Sequence, residues 1–354
     1  MFIPLNNLKR ETDSIRTKLD DVINSVIDNS DFILGDELKK FEQDFARYCE
    51  AKYCLGVDSG TSALELACRS IGLDQDDEVI TVSNSYISTS TSALFVGAKP
   101  VFVDVDYNSK NIHVDEIGSK INSKTKAIIV VHMHGYPCDM DAILKIAKEN
   151  NLFVIEDASH AHGAIYRNSK IGSFGDITCF SFYPSKNLGC MGDGGAITTN
   201  NKDLYERIKL MRTYGESEKF HHTELGYNKR LDNLQAGILN VKLTHLDQWN
   251  TARQNAAKMY NDLLDSILNI PEIQSDRTSV FYVYSINSTN RDQLQEFLTT
   301  KNIQTSIHYP IPIHKQKLFV DLGHSDKLPV TEQLANEMLS LPMFPLITED
   351  EIHY

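Results

Sequence analysis

Lys186 is the side chain of this sequence best situated for covalent chemistry. It lies in Ser181-Phe-Tyr-Pro-Ser-Lys-Asn-Leu-Gly189, a polar loop between two strand-like runs, Ile177–Phe182 and Gly195–Thr199. Pro184 keeps that loop out of helix, because proline lacks an N–H and restricts the residue before it. Gly189, Gly192, Gly194 and Gly195 follow closely, and glycines let a backbone turn tightly and approach a bound group. A lysine amine held this way can attack a carbonyl and form a Schiff base. A surface lysine in a glycine-rich turn would read the same way, so its role depends on two other segments.

Asp58-Ser-Gly-Thr-Ser-Ala-Leu-Glu-Leu66 follows a predicted strand and opens a predicted helix. Unpaired first-turn N–H groups and the helix dipole make that junction an anion site, where Thr61 and Ser62 add hydroxyls beside Gly60. Many helices begin with such residues and bind nothing, and the glycine–lysine phosphate-loop pattern is absent. Val154-Ile-Glu-Asp-Ala-Ser-His-Ala-His-Gly163 delivers Glu156 and Asp157 at the carboxyl end of an apolar strand, where ligands bind in open α/β sheets. Asp157 there either pairs with a protonated pyridine nitrogen or caps a helix. His160 is either a cofactor contact or a packed histidine. Anion cup, acidic strand end and loop lysine together satisfy a pyridoxal 5'-phosphate (PLP) site. The cup takes phosphate, Asp157 the ring nitrogen and Lys186 the aldehyde.

The elements that must position these segments alternate along the chain. Candidate strands are Tyr53–Val57, Glu78–Val82, Pro100–Val105, Ala127–Val131, Leu152–Glu156, Ile177–Phe182 and Gly195–Thr199. Several are near-continuous apolar runs, as in a largely parallel sheet buried on both faces. Helices such as Ser62–Ile71 and Met140–Glu149 fit between them, and two more fill about residues 11–50. This alternation is the signature of an α/β domain. A long helical pattern from Asn233 to Ile267 leads into a mixture of helices (Arg291–Lys301, Thr331–Leu339) and strands (Ser279–Ile286, Gln304–His308). The expected organisation is a large α/β domain over 1–250 and a smaller C-terminal α+β domain over 251–354. The ending Asp-Glu-Ile-His-Tyr has no helix stop signal, which leaves a further terminal helix open.

With 41% hydrophobic and 23% charged residues in 354, the composition is that of an ordinary soluble globular protein. No apolar run reaches the roughly 20 residues needed to cross a bilayer, and the N-terminus lacks a signal-peptide layout. A cytoplasmic location without membrane contact is therefore expected. Six scattered cysteines without a C-x-x-C pair fit reduced thiols. Cys190, near Lys186, has no adjacent base to make it a nucleophile. The formal charge of −13 argues against nucleic acid as a partner but leaves room for a small anion held by local N–H groups. His132-x-His134 and His221-His222 lack a third ligand at a metal-site spacing, so no metal is expected.

The ordered segments Ser59-Gly-Thr-Ser-Ala-Leu64, Glu156-Asp-Ala-Ser-His-Ala-His-Gly163 and Ser181 to Gly189, with Gly192-Asp-Gly-Gly-Ala196 after them, carry a family likeness. They resemble the nucleotide-sugar aminotransferases of the DegT/DnrJ group, which are fold-type I PLP enzymes. Gly226-Tyr-Asn-Lys-Arg-Leu-Asp-Asn-Leu-Gln-Ala236 extends the resemblance, which runs through nearly the whole chain. It implies a large domain with a mostly parallel sheet sandwiched by helices, and a smaller C-terminal domain. It also implies that Lys186 forms the Schiff base with PLP and later shuttles protons. Asp157 would pair with the pyridinium nitrogen, and His160, where many relatives have glutamine, would contact the phenolic oxygen. Gly60, Thr61, Ser62 and Ser181 would hold the phosphate, and Tyr86 would cover the ring. Asn228 is similar to a residue that reaches the phosphate of a neighbouring subunit, which implies a homodimer with shared active sites. Family members with histidine in place of the lysine act as dehydratases. The lysine here favours transamination, with L-glutamate as the amino donor.

Gln304-Thr-Ser-Ile-His-Tyr-Pro-Ile-Pro-Ile-His314 resembles a segment of enzymes acting on dTDP-3-keto-6-deoxyhexoses, and Leu231 to Asn250 looks like the same subgroup. A strand ending in a rigid proline turn is the plainer account of the first of these. The likeness implies amination of a dTDP-linked keto sugar at C3 rather than C4, for amino-sugar and surface-polysaccharide synthesis. Tyr183, Lys219, His308 and Tyr309 are the implied substrate contacts. A PLP-dependent sugar dehydratase and a non-catalytic regulator on the same fold are the alternatives.

Overall fold

The computed structural model of the protein describes residues 1–268 and 270–354. Its central sheet has seven strands: β1 (Tyr53–Val57), β2 (Glu78–Val82), β3 (Lys99–Val103), β4 (Thr125–Val131), β5 (Phe153–Asp157), β6 (Ile177–Ser181) and β7 (Gly195–Thr199). Their spatial order is β1-β7-β6-β5-β4-β2-β3. β7 runs antiparallel to both neighbours and the remaining pairs are parallel. Alternate residues of each strand feed opposite faces. Ile80, Ile128 and Val130 join a core with Phe41 and Phe45 of helix Asp36–Tyr48. Val79, Ala127, Ile129 and Ile155 join another with Leu64, Leu66 and Ile208, from helices Gly60–Ser70 and Lys202–Arg212. With both faces covered, the strands must be apolar throughout, which is why they read as continuous hydrophobic runs. The α/β architecture is the expected one, and strand bounds move by at most two residues.

Several local expectations change. The opening segment holds three helices, Leu8–Ser14, Arg16–Asn29 and Asp36–Tyr48, rather than two. The long helix expected from Asn233 to Ile267 is two, Asn233–Leu243 and Leu246–Leu264. At the break, Thr244 Oγ1 donates back to the Val241 carbonyl at 2.8 Å, a local bond that competes with helix propagation. Ser279–Ile286 is not one strand. Arg277–Thr278 and Tyr284–Asn287 are strands, and between them the N–H groups of Val280 and Tyr282 donate to the carbonyls of Gly135 and His134. Gln304–His308 forms no strand, because its two ends serve different neighbours: Gln304 N–H donates to Ile3, and Ser306 bridges Ser340. The helix expected over Thr331–Leu339 is Pro329–Glu337, and Met338–Leu341 pairs as a strand with Tyr284–Asn287. The chain closes on a short helix, Glu349–His353, with a Thr348/Glu351 capping box. Among the described residues no helix is long and apolar enough to cross a membrane.

The topology concentrates chemistry at one sheet edge. β1, β2, β4, β5 and β6 all end there, and antiparallel β7 begins there. Gly60, Ser85 and Tyr86, Asp157 and His160, Ser181 to Lys186, and Gly194 are thereby brought together, as expected at the carboxyl edge of an open α/β sheet.

Candidate active site

Gly60, Ser85, Tyr86, Asp157, His160, Ser181, Tyr183, Lys186 and Gly194 line a cavity of about 470 Å³, the right size for a cofactor with part of a substrate. Asp157 stands at its floor, 4% exposed. Thr89 Oγ1 donates to its Oδ2 at 2.7 Å, and Ser159 Oγ donates to Oδ1 at 2.6 Å with the Ser159 N–H at 3.2 Å. Ser85 Oγ lies 2.8 Å from Thr89 Oγ1. With a hydroxyl donating to each of its oxygens, the carboxylate is held against rotation.

His160 is 5% exposed and lines the same cavity. Its Nδ1 accepts the His134 N–H at 3.3 Å, which leaves Nε2 as the N–H donor of the neutral ring. Burial first, then the positive charge of Lys186, pushes its pKa well below the ordinary histidine value. The same causes hold His308 down to about 4 and His162 down to about 3. The imidazoles around Lys186 are therefore neutral donors and acceptors at pH 7.

The lysine loop is built on aromatic packing. Phe182 meets Phe41 and Phe45 edge-on at 5.4 and 5.5 Å. Phe182 N–H donates to the Gly194 carbonyl and Cys190 N–H to the Phe182 carbonyl, closing the loop on itself. A Cβ on Gly189 would lie 2.4 Å from the Pro184 carbonyl oxygen, so only glycine lets the two limbs approach this closely. Lys186 emerges from this frame with Nζ 4.1 Å from the centroid of the Tyr282 ring.

The expected anion cup lies where helix Gly60–Ser70 begins. Ser59 Oγ caps it by accepting the Ser62 N–H at 3.1 Å, and Thr61 Oγ1 lies 2.7 Å from Ser88 Oγ. A Cβ on Gly60 would meet Ser181 Cβ at 2.6 Å, so helix end and β6 touch only because residue 60 is glycine. The arrangement fits a PLP group: a helix N-terminus with hydroxyls for phosphate, a fixed carboxylate at the strand end, a neutral N–H donor on His160 and a lysine amine between them.

At the mouth stand Tyr86 and Tyr183, 60% and 57% exposed. Tyr309 lies 6.1 Å from Tyr86, ring to ring, and His308 Nδ1 lies 2.8 Å from Ser340 Oγ. This C-terminal segment is tied to the sheet edge by Ser83, which accepts the Ile313 and His314 N–H groups.

Of the sequence-derived residues, Gly60, Thr61, Tyr86, Asp157, His160, Ser181, Tyr183, Lys186, His308 and Tyr309 line the cavity, and Ser62, Lys219 and Asn228 do not. Ser62 is turned away: its N–H serves the cap and its Oγ accepts from Lys229 Nζ at 3.1 Å. Lys219 and Asn228 are exposed, the first in the turn of the hairpin Glu216–Glu218/His221–His222, the second in a bridge to Thr213. Sequence reasoning missed Thr89, Ser159 and Tyr282. Only the hydroxyl-rich run Ser83-Asn-Ser-Tyr-Ile-Ser-Thr89 hinted at the first of these. His132 has a structural partnership: its Nε2 donates to Glu156 at 3.0 Å and its Nδ1 accepts from Cys138 N–H. Among the described residues no three metal-binding side chains converge. All six cysteines are buried and free.

Comparison with known proteins shows the family and the fold. The model of the DegT/DnrJ/EryC1/StrS aminotransferase family matches residues 13–354. The chain is 43% identical over 352 residues to a dTDP-3-amino-3,6-dideoxy-alpha-D-galactopyranose transaminase of Aneurinibacillus thermoaerophilus, covering 99% of this chain and 97% of that protein. It is 41% identical over 359 residues to a pleiotropic regulatory protein of Geobacillus stearothermophilus, covering 100% and 96%. Among solved structures it resembles S. venezuelae DesV in complex with a ketimine intermediate, with a TM-score of 0.97 and 37% identity over 99% of this chain and 96% of that one. The family model spans residues 13–354 and the fold agrees with it, and the chain belongs to the DegT/DnrJ/EryC1/StrS aminotransferase family as a PLP-dependent sugar aminotransferase.

Proposed function

We propose that the enzyme moves an amino group from L-glutamate to C3 of a dTDP-3-keto-6-deoxyhexose in the cytoplasm, supplying an amino sugar for surface polysaccharide. The observation that carries the reading is the shared cavity, in which Lys186 and Asp157 face an aromatic mouth of Tyr86, Tyr183 and Tyr309 beside His308. The C3 preference is supported by the 43% identity to the A. thermoaerophilus transaminase, whose product carries its nitrogen at C3.

PLP supplies the electron sink through which an amino group passes between two carbon skeletons. Asp157 would hold the ring nitrogen with its carboxylate, which Thr89 and Ser159 keep fixed. Nε2–H of His160 would be the donor offered to the ring oxygen. Gly60 and Thr61 offer first-turn N–H groups to the phosphate, with Ser181 beside them. Lys186 Nζ takes a proton from one carbon and returns it to another, a general acid–base step in a half-buried site. Tyr86 would cover the ring, and Tyr183, His308 and Tyr309 would hold the sugar. Lys219 and Asn228 point outside their own cavity, which suits residues donated to the cavity of a second subunit.

The test is direct. L-Glutamate added to the cofactor-loaded protein should shift its visible absorption to shorter wavelength, and each candidate dTDP-keto sugar should then restore it. NMR of the product locates the nitrogen. Absence of the glutamate-dependent shift sinks the donor assignment, and nitrogen at C4 sinks the position.

A further inference from the structure

We propose that His314 is a positioning residue for the cavity mouth: bridging Ser83 and Glu332, it fixes the span Tyr309-Pro-Ile-Pro312 and so sets where Tyr309 stands beside His308. The span cannot hold itself. Pro310 and Pro312 have no N–H to donate, so its place depends on what grips its two ends. Upstream, Ser306 and Ser340 exchange backbone hydrogen bonds at 3.2 and 2.8 Å, and His308 Nδ1 lies 2.8 Å from Ser340 Oγ. Downstream, the grip is His314. Its backbone N–H donates to Ser83 Oγ at 2.9 Å, and the Ile313 N–H donates to the Ser83 carbonyl at 2.9 Å. Its ring then ties two elements together, with Nδ1 2.7 Å from Ser83 Oγ and Nε2 3.2 Å from Glu332 Oε1. Gln316 Nε2 adds a bond to the Ile311 carbonyl at 3.1 Å.

Both partners of the ring are themselves fixed. Ser83 follows β2, is fully buried, and stands on the same turn as Tyr86 and Ser85. Glu332 lies in the first turn of helix Pro329–Glu337, whose Val330 and Thr331 N–H groups donate to Asp104, just past β3, at 2.9 and 2.8 Å. A carboxylate only accepts, so Nε2 carries the proton toward Glu332. Burial, the first cause, lowers the His314 pKa and keeps the ring neutral at pH 7, so Nδ1 accepts from the Ser83 hydroxyl. Lys315, with Nζ 3.2 Å from the same Glu332 oxygen, and Asp326 are the other charged groups acting on the ring. Serine, histidine and glutamate in this order can build a nucleophile. Here the serine oxygen is buried, already accepts the His314 N–H and lies outside the active-site cavity, so the relay holds rather than reacts.

The consequence for turnover rests on the reading that His308 and Tyr309 hold the sugar. The residues assigned to the cofactor are gripped elsewhere: Asp157 by Thr89 and Ser159, and the lysine loop by the Phe182 N–H on the Gly194 carbonyl. His314→Leu fills the space and loses both ring bonds. In the cofactor-loaded enzyme it should raise KM for the dTDP-3-keto-6-deoxyhexose by about tenfold, with kcat and the rate of the glutamate half-reaction within about twofold of wild type. In the same protein without substrate, amide hydrogen exchange over residues 307–314 should rise, while exchange over 181–189 should not. An unchanged sugar KM overturns the proposal. So does a glutamate half-reaction slowed as much as the sugar half-reaction, since His314 would then only support the fold, and so does unaltered exchange over 307–314. If wild type aminates no dTDP-keto sugar, the sugar reading fails by itself and hydrogen exchange judges the bridge. If His314→Leu does not fold, Glu332→Leu, which removes the bond to Nε2, takes its place in both measurements.

Discussion

At the scale of single residues, the chemistry divides into groups that act and groups that aim. Lys186→Ala should reduce amine exchange by at least about a thousandfold, because no other amine reaches the same atoms. In the proposed site, Asp157→Asn removes the charge that would face the ring nitrogen and should slow transfer by about a hundred- to a thousandfold. Thr89→Val removes one of the carboxylate's donors, and a cost of about tenfold is expected from the lost orientation. Steady-state assays of the three variants test that ranking, and a Thr89→Val loss as large as that of Asp157→Asn would contradict it. That Lys186, Asp157 and His160 meet at one cavity was legible because few residue types could do the proposed work at a strand end or in a loop. Thr89, Ser159 and Tyr282 were not, because hydroxyls and tyrosines are common and their contacts are made across space. The buried histidines give a pH signature. His308 at about 4 and His162 at about 3 lie below their unfolded value near 6.5. Above that value both states are neutral and stability is fully present. As pH falls, the unfolded chain takes up protons first, and stability drains toward the folded pKa values. By pH 5 each group can remove up to about 2 kcal/mol. Urea unfolding at pH 7 and pH 5 measures the loss, and equal stability at the two values would refute the assignment.

At the scale of elements, strands buried on both faces were legible because a short, continuous apolar run between turn residues is what such burial demands. Connections were less so. The Thr244–His245 break is decided by a local side-chain bond from Thr244 to the Val241 carbonyl, and the divided run from Ser279 to Ile286 by hydrogen bonds to the distant carbonyls of His134 and Gly135. Met338 and Leu339 suit a helix end as well as a strand, and only their pairing with Ile286 and Asn287 chooses. The junction of helix Gly60–Ser70 with β6 offers the sharpest element-level prediction. Gly60→Ala drives a Cβ to 2.6 Å from Ser181 Cβ, both in the cup. The helix end or the strand end must shift, at a cost of about 1–3 kcal/mol in stability. PLP affinity should fall by at least about tenfold, because the first-turn N–H groups move with the helix. Equilibrium dialysis reads that loss. Wild-type affinity in Gly60→Ala would place the phosphate elsewhere.

At the scale of the whole molecule, the exposed hairpin region is the part of the chain that the single subunit leaves without a role. Phe220 and Leu225 are 80% and 76% exposed there, a loss of apolar burial that a second copy would recover. Lys219 and Asn228 lie in the same region, outside their own cavity. In the proposed homodimer, Asn228 serves the phosphate of the neighbouring subunit. That arrangement makes a prediction that no self-contained site shares. Asn228→Ala and Lys186→Ala homodimers should each be impaired, the second almost completely. In a mixed dimer, the Asn228→Ala subunit keeps its own lysine and receives an intact Asn228 from its neighbour. The other site has neither. After unfolding and refolding an equal mixture, half the dimers are mixed and each has one working site, so activity should return to about a quarter of wild type. If Asn228 acts within its own subunit, every site in the mixture lacks either Lys186 or Asn228, and mixing restores nothing.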